Sequence, residues 1–341
     1  MSRLSVTNLC VTFASGADRI RAVDNVSFDL SPGQRLAVVG ESGSGKSALH
    51  LALLRLVPRP PACQISGQAM LGDQDLLRIS QKQLQSVRGG KVAMIFQNPL
   101  SALNPFLTIG EQLIEPLVYH GGMAAKKAKS SAIELLNRVG VAEAAKRIND
   151  YPHQYSGGMR QRALIAMAIA GDPDIIIADE PTTALDASVR HQVLKILLDI
   201  SRERGAALIL ITHDLAAASQ VCERIHVMYA GRIVESGPKD QVLNSPRHPY
   251  TLALLNASLQ QTVPPGELLP VIPGRPPDLR RIPAGCAFHP RCTYKENRCT
   301  SDVPASREVA DRRQSTEDEQ EWRIACHVDI DKLSATSSSA K

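Results

Sequence analysis

Three features of the sequence predict an α/β fold with a mainly parallel sheet. The first is a set of short apolar runs, each bounded by polar or turn residues as in buried parallel strands: residues 35–39, 92–96, 175–178 and 207–211. The second is the helical patterns between these runs. Residues 188–202 place apolar side chains on one helical stripe, and residues 123–139 are rich in Ala, Lys and Leu. The third is a glycine-rich stretch that follows the first run and leads into a leucine-rich helical pattern at residues 48–56.

Composition places the chain among soluble globular proteins. Of its 341 residues 43% are apolar and 21% charged, which excludes a chain that is disordered throughout. The net charge of +5 is too small to favour a nucleic-acid partner. The apolar runs fall far short of the roughly 18 residues that a membrane span needs, and residues 1–5 begin no signal peptide. We therefore expect a cytosolic protein whose seven cysteines are kept reduced.

The last third of the chain has a different composition. A Gly-Arg turn at residues 231–232 predicts a final β-hairpin. Half of the 22 prolines lie within residues 246–304, which predicts a loop-rich region with a small core. We therefore predict a first domain at residues 1–240, a C-terminal region at residues 241–333 and a disordered tail at residues 334–341.

The glycine-rich stretch is a candidate phosphate site. It reads GESGSGKS and fits the P-loop pattern G-x-x-x-x-G-K-[ST], with a predicted strand before it and a helix after it. Its glycines allow backbone N–H groups to surround phosphate oxygens, and the helix N-terminus adds partial positive charge. We expect Lys46 to reach the β- and γ-phosphates and Ser47 to bind Mg²⁺. The residues predicted to line the site are Gly40, Glu41, Ser42, Gly43, Ser44, Gly45, Lys46, Ser47 and Ala48.

An acidic strand end complements the P-loop. Asp179 and Glu180 directly follow the apolar run at residues 175–178. A carboxylate at the end of a buried strand, Asp179, suits direct or water-mediated Mg²⁺ binding. Glu180 is placed to orient and polarise an attacking water. Many strands end in acidic turns, so this run alone is weak evidence; together with the P-loop it predicts nucleotide hydrolysis.

A second glycine-rich helix start indicates the class of nucleotide-binding protein. Residues 155–162 read YSGGMRQR, and Ser-Gly-Gly opens a helix predicted at residues 159–170, with a second anion-binding N-terminus. The segment resembles the signature motif of ATP-binding cassette (ABC) ATPases, usually Leu-Ser-Gly-Gly-Gln, from which Tyr155 and Met159 depart. The resemblance implies that the signature serves the nucleotide of a partner subunit in a head-to-tail dimer. The residues concerned are Ser156, Gly157, Gly158 and Met159.

Four further residues match the same family in order and spacing. Gln97 resembles the Q-loop glutamine, which contacts Mg²⁺ and the nucleotide. Asp186, in the sequence Ala-Leu-Asp, resembles the D-loop that touches the partner across the dimer. His213 resembles the switch histidine that contacts the γ-phosphate, although a lone histidine at a strand end is more often a surface residue. Phe13 stands where the family places an aromatic ring on adenine, and a phenylalanine there could equally belong to the core.

The resemblance covers residues 4–237 and implies a P-loop NTPase of ABC type. It also implies an N-terminal antiparallel β part and a helical signature subdomain at about residues 98–170. That insert is too short for the long coiled coil of chromosome-maintenance ATPases. The segments YPHQY and NPLSALNP resemble importer subunits for oligopeptides, dipeptides and, in some cases, nickel. SPRHPYT, at residues 245–251, resembles the His-Pro-Tyr signature that opens the C-terminal region of that branch.

Four cysteines cluster near the C-terminus and match the cysteine set of the same branch: Cys286, Cys292, Cys299 and Cys326. Four thiolates in a proline-rich segment with a small core would bind a metal group that stabilises the segment, either a [4Fe–4S] cluster or tetrahedral Zn²⁺. The wide Cys-x5-Cys-x6-Cys-x26-Cys spacing and the resemblance favour iron–sulfur. His289 and His327 are further candidate ligands, and four free thiols are the remaining alternative. Cys10, Cys63 and Cys222 are predicted to be small buried hydrophobes.

The resemblance implies the ATP-hydrolysing subunit of an ABC importer for dipeptides or oligopeptides. Lys46, Glu180 and His213 would be catalytic, with ATP and Mg²⁺ bound. Implied partners are a homologous ATPase subunit in a heterodimer, two integral membrane permease subunits and, indirectly, an extracytoplasmic solute-binding protein. The chain would lie peripherally on the cytoplasmic face of the inner membrane. The alternatives are import of nickel or another small solute and, outside this class, a soluble ABC ATPase acting on DNA or ribosomes.

Overall fold

The computed structural model describes residues 2–16, 18–183, 185–259, 271–309 and 321–328. The predicted tail at residues 334–341 lies outside them. The strands of the described residues are β1 (Leu4–Ser15), β2 (Asp18–Leu30), β3 (Arg35–Val39), β4 (Cys63–Leu71), β5 (Gln74–Asp75), β6 (Val92–Ile95), β7 (Ile175–Asp179), β8 (Ala207–Thr212), β9 (Arg224–Tyr229), β10 (Arg232–Pro238), β11 (Arg307–Glu308) and β12 (Arg323–Ile324). The α-helices are α1 (Lys46–Leu53), α2 (Gln81–Val87), α3 (Pro99–Ala102), α4 (Ile109–Tyr119), α5 (Ala125–Arg138), α6 (Ala144–Arg147), α7 (Gly157–Ile169), α8 (Ala187–Arg204), α9 (Leu215–Val221), α10 (Lys239–Asn244) and α11 (Pro249–Leu259).

These elements belong to two compact units. The first unit comprises Met1–Ser5, Asp29–Arg35 and Met70–Ile211. The second comprises Val6–Phe28, Leu36–Ala69 and the chain from Thr212 onward. Within the described residues no helix is long and apolar enough to cross a membrane.

Three parallel strands form the centre of the first unit. β7 pairs with β6 on one side and β8 on the other, and every residue of β7 and β8 is buried. The register places Ile95 opposite Ala178, and Asp179 opposite Ile211. The carboxyl ends of the three strands therefore lie along one edge of the sheet. Strands buried on both faces favour the near-continuous apolar runs seen in the sequence.

Helices α3 to α7 form the helical part of the first unit. α4, α5 and α7 pack against one another in pairs, and α7 also packs against β6 and α8. α4 begins at a capping box, in which Thr108 Oγ1 accepts a bond from the Glu111 N–H (3.2 Å) and the Glu111 carboxylate accepts one from the Thr108 N–H (2.7 Å). In this helical part, the signature segment lies at the start of α7, and this start is exposed to solvent.

The second unit contains two groups of strands. β3 pairs with β9 in parallel, and β9 pairs with β10 in the predicted antiparallel hairpin. β12 extends this group by pairing with β10, and β11 pairs with β12. In the other group β1 lies between β2 and β4. The two-residue strands β11 and β12 carry no periodic pattern, and the sequence analysis did not predict them.

The described residues of the proline-rich region, 246–259 and 271–304, are loop-rich, as predicted, apart from α11 and the short 3-10 helices His289–Arg291 and Asn297–Thr300. α11 begins at Pro249; proline is favoured at a first helical position, where its missing N–H needs no partner. Two of the three cysteines predicted to be buried, Cys63 and Cys222, are buried, whereas Cys10 is half-buried. The predicted α/β fold with a mainly parallel sheet is confirmed.

Candidate functional site

The predicted P-loop lies in the second unit between β3 and α1, and its glycines shape it. The φ angles are 153° at Gly40, 79° at Gly43 and 104° at Gly45. A Cβ at Gly45 would lie 2.1 Å from the Ala22 carbonyl oxygen, and one at Gly40 would lie 2.2 Å from that of Met228. Side chains are therefore excluded at both positions, and the loop can keep the curve that turns N–H groups toward an anion.

Lys46 is the first residue of α1, and its side chain folds back onto the loop. Its Nζ donates hydrogen bonds to the carbonyl oxygens of Gly40 and Glu41, each at 2.8 Å, and lies 3.4 Å from Ser44 Oγ. The residue is 5% exposed, and a buried ammonium group needs such partners. The ammonium is thereby held against the loop that would surround a phosphate. Ser47 and Ala48 follow in the first turn of α1, both half-buried, whereas Ser42 is exposed.

Phe13 and His213, predicted to contact ATP, also belong to the second unit. Phe13 lies half-buried on β1. His213 is exposed and directly follows β8. The next residue, Asp214, caps α9 by accepting bonds from the N–H groups of Ala216 (2.9 Å) and Ala217 (3.0 Å). The cap fixes the backbone next to His213; the contacts of both residues with a nucleotide stay predictions.

The first unit places the predicted acidic pair at the carboxyl end of β7. Asp179 is the last residue of the strand and is buried. Glu180 has a φ of 46°, in the left-handed region that non-glycine residues seldom adopt. Its N–H donates to the Ile211 carbonyl (2.9 Å) and its carboxylate accepts a bond from Thr183 Oγ1 (2.6 Å). Such conformations are over-represented at functional sites, where the surrounding structure holds them.

Gln97 lies at the same edge of that sheet. It is exposed, two residues beyond the end of β6, and β6 neighbours β7 in parallel register. The structure therefore places the predicted Q-loop glutamine and the predicted acidic pair at adjacent strand ends. Amide, carboxylate and hydroxyl oxygens are the donors that Mg²⁺ prefers.

The predicted signature begins α7, two residues earlier than the helix start predicted from the sequence. Ser156 is the N-cap, and its Oγ accepts a bond from the Met159 N–H (3.3 Å). A Cβ at Gly157 would meet no atom within 4 Å, whereas one at Gly158 would lie 2.8 Å from Val189 Cγ1. The N-terminus of this 13-residue helix is therefore open to solvent and can receive an anion from outside the chain.

Tyr155 and Asp186 stabilise the segments around the signature and the D-loop. Tyr155 is buried, and its hydroxyl donates to the Arg147 carbonyl (3.0 Å). Burial, together with the charge of Asp150, raises the pKa of Tyr155 to about 12. Asp186 is the N-cap of α8, and its carboxylate accepts a bond from the Val189 N–H (2.9 Å). Ala184, the first D-loop residue, lies outside the described residues.

Three of the four C-terminal cysteines lie in one small core. Cys299 and Cys326 are buried with Ile324 and Val328, and Cys286 packs against them. The Cys286 N–H donates to the Cys299 carbonyl (2.9 Å). Burial, followed by the neighbouring thiols, raises the pKa of Cys326 to about 12, and similar causes raise the pKa of Cys292 to about 11.

These cysteines do not form an assembled metal site. Among the described residues, no group of three or more His, Cys, Asp or Glu side chains is arranged to hold a metal ion. His289 Nδ1 pairs with the Cys286 carbonyl (2.9 Å) and His327 Nε2 with the Asp302 carbonyl (2.8 Å). The thiol number suits a metal group, but the arrangement of the described side chains does not support the predicted iron–sulfur or zinc site.

Sequence reasoning missed two contacts between the C-terminal region and the P-loop. The Tyr250 hydroxyl accepts a bond from the Glu41 N–H (2.8 Å), and the Arg291 guanidinium pairs with the Glu41 carboxylate (2.6 Å). The second pair joins residues 250 positions apart, and no local pattern signals such a contact. Tyr250 lies in the segment SPRHPYT, which was noted above only for its family resemblance.

Comparisons with known proteins agree with this geometry. Residues 23–183 match the family model for ABC transporters, and residues 234–299 match that for the oligopeptide/dipeptide transporter C-terminal region. The dipeptide transport ATP-binding protein DppD of Escherichia coli is 43% identical over 331 residues, which cover 97% of this chain and 98% of that protein. The oligopeptide transport ATP-binding protein OppD of Bacillus subtilis is 44% identical over 292 residues, covering 85% and 81%.

A solved structure shows the same fold. The ATP-binding cassette MJ0796, in a dimeric post-hydrolysis state bound to ADP and phosphate, has a TM-score of 0.62 and 29% identity. The similarity covers 69% of this chain and 98% of that one. The sequence-based prediction of an ABC-type ATP-binding subunit is confirmed by these matches. With the P-loop, signature segment and C-terminal region in place, the chain belongs to the ABC transporter family, among the ATP-binding proteins that carry the oligopeptide/dipeptide transporter C-terminal region.

Proposed function

We propose that this chain hydrolyses ATP to drive the import of dipeptides or oligopeptides through separate membrane subunits. The observation that carries the proposal is a P-loop holding Lys46 in a chain that also has the oligopeptide/dipeptide transporter C-terminal region. The relatives DppD and OppD, 43% and 44% identical, are named for dipeptide and oligopeptide transport.

The proposed reaction is attack of water on the γ-phosphorus of ATP, with cleavage of its bond to the β-γ bridging oxygen and release of ADP and phosphate. P-loop N–H groups and Lys46 bind the β- and γ-phosphates and stabilise the charge that moves onto the leaving oxygen. Glu180, held by Thr183, orients and polarises the water. His213 contacts the γ-phosphate, and Phe13 stacks on adenine. Mg²⁺, when bound, neutralises phosphate charge, and the oxygens of Ser47, Gln97 and Asp179 suit it.

The proposed active form is a head-to-tail dimer with a homologous ATPase subunit. The exposed N-terminus of α7 supports this, because its anion site serves no purpose for a nucleotide already held by the chain's own P-loop. Ser156, Gly157, Gly158 and Met159 would bind the γ-phosphate of the partner's ATP, and Asp186 would contact the partner. Two permease subunits and, indirectly, a solute-binding protein complete the transporter, with this chain on the cytoplasmic membrane face.

The proposal also includes the division into a nucleotide-binding domain at residues 1–240 and a C-terminal region at residues 241–333.

A metal group on the four cysteines is a separate proposal, with iron–sulfur preferred over zinc. It is supported by the number of thiols and by the small core that Cys286, Cys299 and Cys326 share. Iron, sulfide and zinc analysis of anaerobically purified protein tests it. About four irons per chain, as in a [4Fe–4S] cluster, would support the preferred form; one zinc would support the alternative. Metal-free protein that still binds ATP would contradict both.

Uptake measurements test the transport proposal. A strain that lacks this chain is complemented with the wild type or with Lys46→Ala, and uptake of a labelled dipeptide, a labelled tetrapeptide and ⁶³Ni²⁺ is measured. We expect peptide uptake with the wild type alone. Restoration of nickel uptake without peptide uptake, or full peptide uptake with Lys46→Ala, would contradict the proposal. The purified wild-type chain should also hydrolyse ATP in the presence of Mg²⁺, whereas Lys46→Ala should not.

A further inference from the structure

Residue Glu41 of the P-loop is held by the C-terminal region through both its backbone and its side chain. Its N–H donates to Tyr250 Oη at 2.8 Å. Its two carboxylate oxygens accept bonds from the two terminal nitrogens of Arg291, at 2.6 and 3.0 Å. A two-pronged guanidinium–carboxylate pair of this kind fixes orientation as well as distance.

Arg291 is buried, Glu41 is half-buried, and further contacts hold the guanidinium in place. The side chain of Arg291 is 4% exposed and that of Glu41 is 23% exposed. Arg291 Nε donates to the Pro273 carbonyl at 2.8 Å, so a second loop of the C-terminal region fixes the guanidinium plane. Tyr229, Tyr250 and Phe288 form a ring cluster beside it, with centroids 4.6 to 5.3 Å apart. Removal of one partner would therefore leave the other charge largely buried without compensation.

The pair acts on the groups that would bind a triphosphate. The Glu41 carbonyl is one of the two backbone oxygens that hold Lys46 Nζ, so a displacement of Glu41 displaces an anchor of that lysine. A free carboxylate at this position would also repel a bound triphosphate, because the loop gathers its phosphates a few residues away. Arg291 cancels that charge.

We propose that Arg291 and Tyr250 are positioning residues of the nucleotide site, and that the C-terminal region sets the affinity of the P-loop for the triphosphate. Arg291 neutralises and orients Glu41, and Tyr250 holds the Glu41 peptide. This inference rests on the proposed function only in that the P-loop binds ATP. It assigns a role in nucleotide binding to a region that lies outside the matched ABC transporter segment, which ends at residue 183.

Nucleotide titration of the full chain tests the inference. The dissociation constants of MgATP and MgADP are measured by calorimetry for the wild type, Arg291→Met, Arg291→Lys, Tyr250→Phe, Glu41→Gln and the double variant Glu41→Gln/Arg291→Met. Arg280→Met is the matched control, because Arg280 forms an exposed pair with Asp278 in the same region (2.7 Å). Circular dichroism and melting temperatures identify variants that do not fold.

We expect Arg291→Met to weaken MgATP binding about tenfold or more, and to weaken MgADP binding less because it carries fewer charges. The double variant should recover most of that loss, since it removes the uncompensated carboxylate. Arg291→Lys should lie between the wild type and Arg291→Met because it keeps the charge and loses the two-pronged geometry. Tyr250→Phe should weaken the binding of MgATP and of MgADP equally. Arg280→Met should bind both nucleotides with the affinity of the wild type.

The possible failures are distinguishable. Wild-type protein that binds no MgATP would overturn the proposed function itself. Wild-type binding together with equal affinity in Arg291→Met, or a double variant as weak as the single one, would overturn the present inference alone. If Arg291→Met does not fold, the comparison of Arg291→Lys with the double variant decides the same question.

Discussion

Trp322 donates its indole N–H to the buried carboxylate of Glu235 at 3.2 Å. Glu235 is 1% exposed and also accepts bonds from the N–H groups of Arg247 (2.9 Å) and His248 (3.0 Å). Burial raises the pKa of this carboxyl. One side chain on β10 thus joins the last described strand to the segment that opens the C-terminal region. Trp322 is the chain's single tryptophan, so its fluorescence reports on this junction.

Gly237→Ala should loosen the contact between Trp322 and β10. A Cβ at this position would lie 2.6 Å from Trp322 Cδ1, and the ring, 5% exposed, has little room to move. We expect a loss of about 1–3 kcal/mol in the free energy of unfolding and a red shift of tryptophan emission. Gly157→Ala is the control, because its Cβ meets no atom within 4 Å and it should not reduce stability. Unchanged emission and stability in Gly237→Ala would contradict the packing described.

Glu180→Gln should bind ATP and scarcely hydrolyse it. The amide keeps the shape of the side chain but cannot polarise the attacking water, so turnover should fall by about 10²–10⁴-fold while nucleotide affinity stays the same. Glu203→Gln is the matched control in the same unit, since Glu203 pairs with Arg138 and is largely exposed. Steady-state phosphate release and equilibrium ATP binding provide the two readings. Wild-type turnover in Glu180→Gln would show that another group orients the water.

Alanine should be tolerated at Gly43 far better than at Gly45. Both glycines have positive φ, but a Cβ at Gly43 meets no atom within 4 Å, whereas one at Gly45 meets Ala22 O at 2.1 Å and Met228 Cε at 2.9 Å. We expect Gly43→Ala to cost about 1–2 kcal/mol for backbone strain alone and Gly45→Ala about 3 kcal/mol or more. Urea unfolding followed by Trp322 fluorescence measures both. Equal losses would mean that the loop relaxes around the new methyl group.

The second unit should lose stability in mild acid. Burial is the main cause that lowers the pKa of His50 to about 4 and the pKa values of His226 and His248 to about 3. Their ordinary value is 6.5, so below that pH the unfolded chain binds protons that the folded chain does not. Stability present above pH 6.5 is therefore lost as the pH falls toward the folded pKa values. Each histidine contributes about 1.4 kcal/mol per pH unit.

His226→Leu isolates one of these contributions. His226 packs edge-on against Phe28, and the positive charge of Arg224, followed by that of His50 when it is protonated, lowers the pKa of His226 further. Between pH 6.5 and 4.5 the unfolding free energy of the variant should fall less steeply as the pH decreases, by the contribution of one proton, about 1.4 kcal/mol per pH unit. Unfolding is measured with Trp322 fluorescence. Identical slopes in His226→Leu and the wild type would contradict a neutral, buried His226.

The sequence predicted some elements almost to the residue. The strand expected at residues 35–39 is β3, and the runs at residues 92–96 and 207–211 differ from β6 and β8 by one residue each. These strands are buried apolar runs that end at glycine or polar residues, so local composition is enough to locate them. The helix of the signature begins at Gly157 and not at Met159, because the Ser156 cap lets the glycines join the first turn.

Other features had no local signal. β12 has two residues, and its pairing with β10 depends on the burial of Trp322 against Gly237. The candidate metal site was likewise not predictable: spacing identified four cysteines, but only the tertiary structure shows that three of them share a core and that the described side chains form no ligand group. Spacing along a chain does not determine distances in a loop-rich region, where few backbone hydrogen bonds restrict the path.

By itself the sequence determined the fold class, the P-loop, the signature segment and the family, since each depends on residue types within a few positions of one another. The tertiary structure alone decided that Glu41 meets Arg291 and Tyr250, because that contact joins the P-loop to a region about 200 to 250 positions later. Packing of the ring cluster at Tyr229, Tyr250 and Phe288 brings the guanidinium to the loop. Such a contact is selected by the fit of the whole second unit, and local propensity carries no information about it.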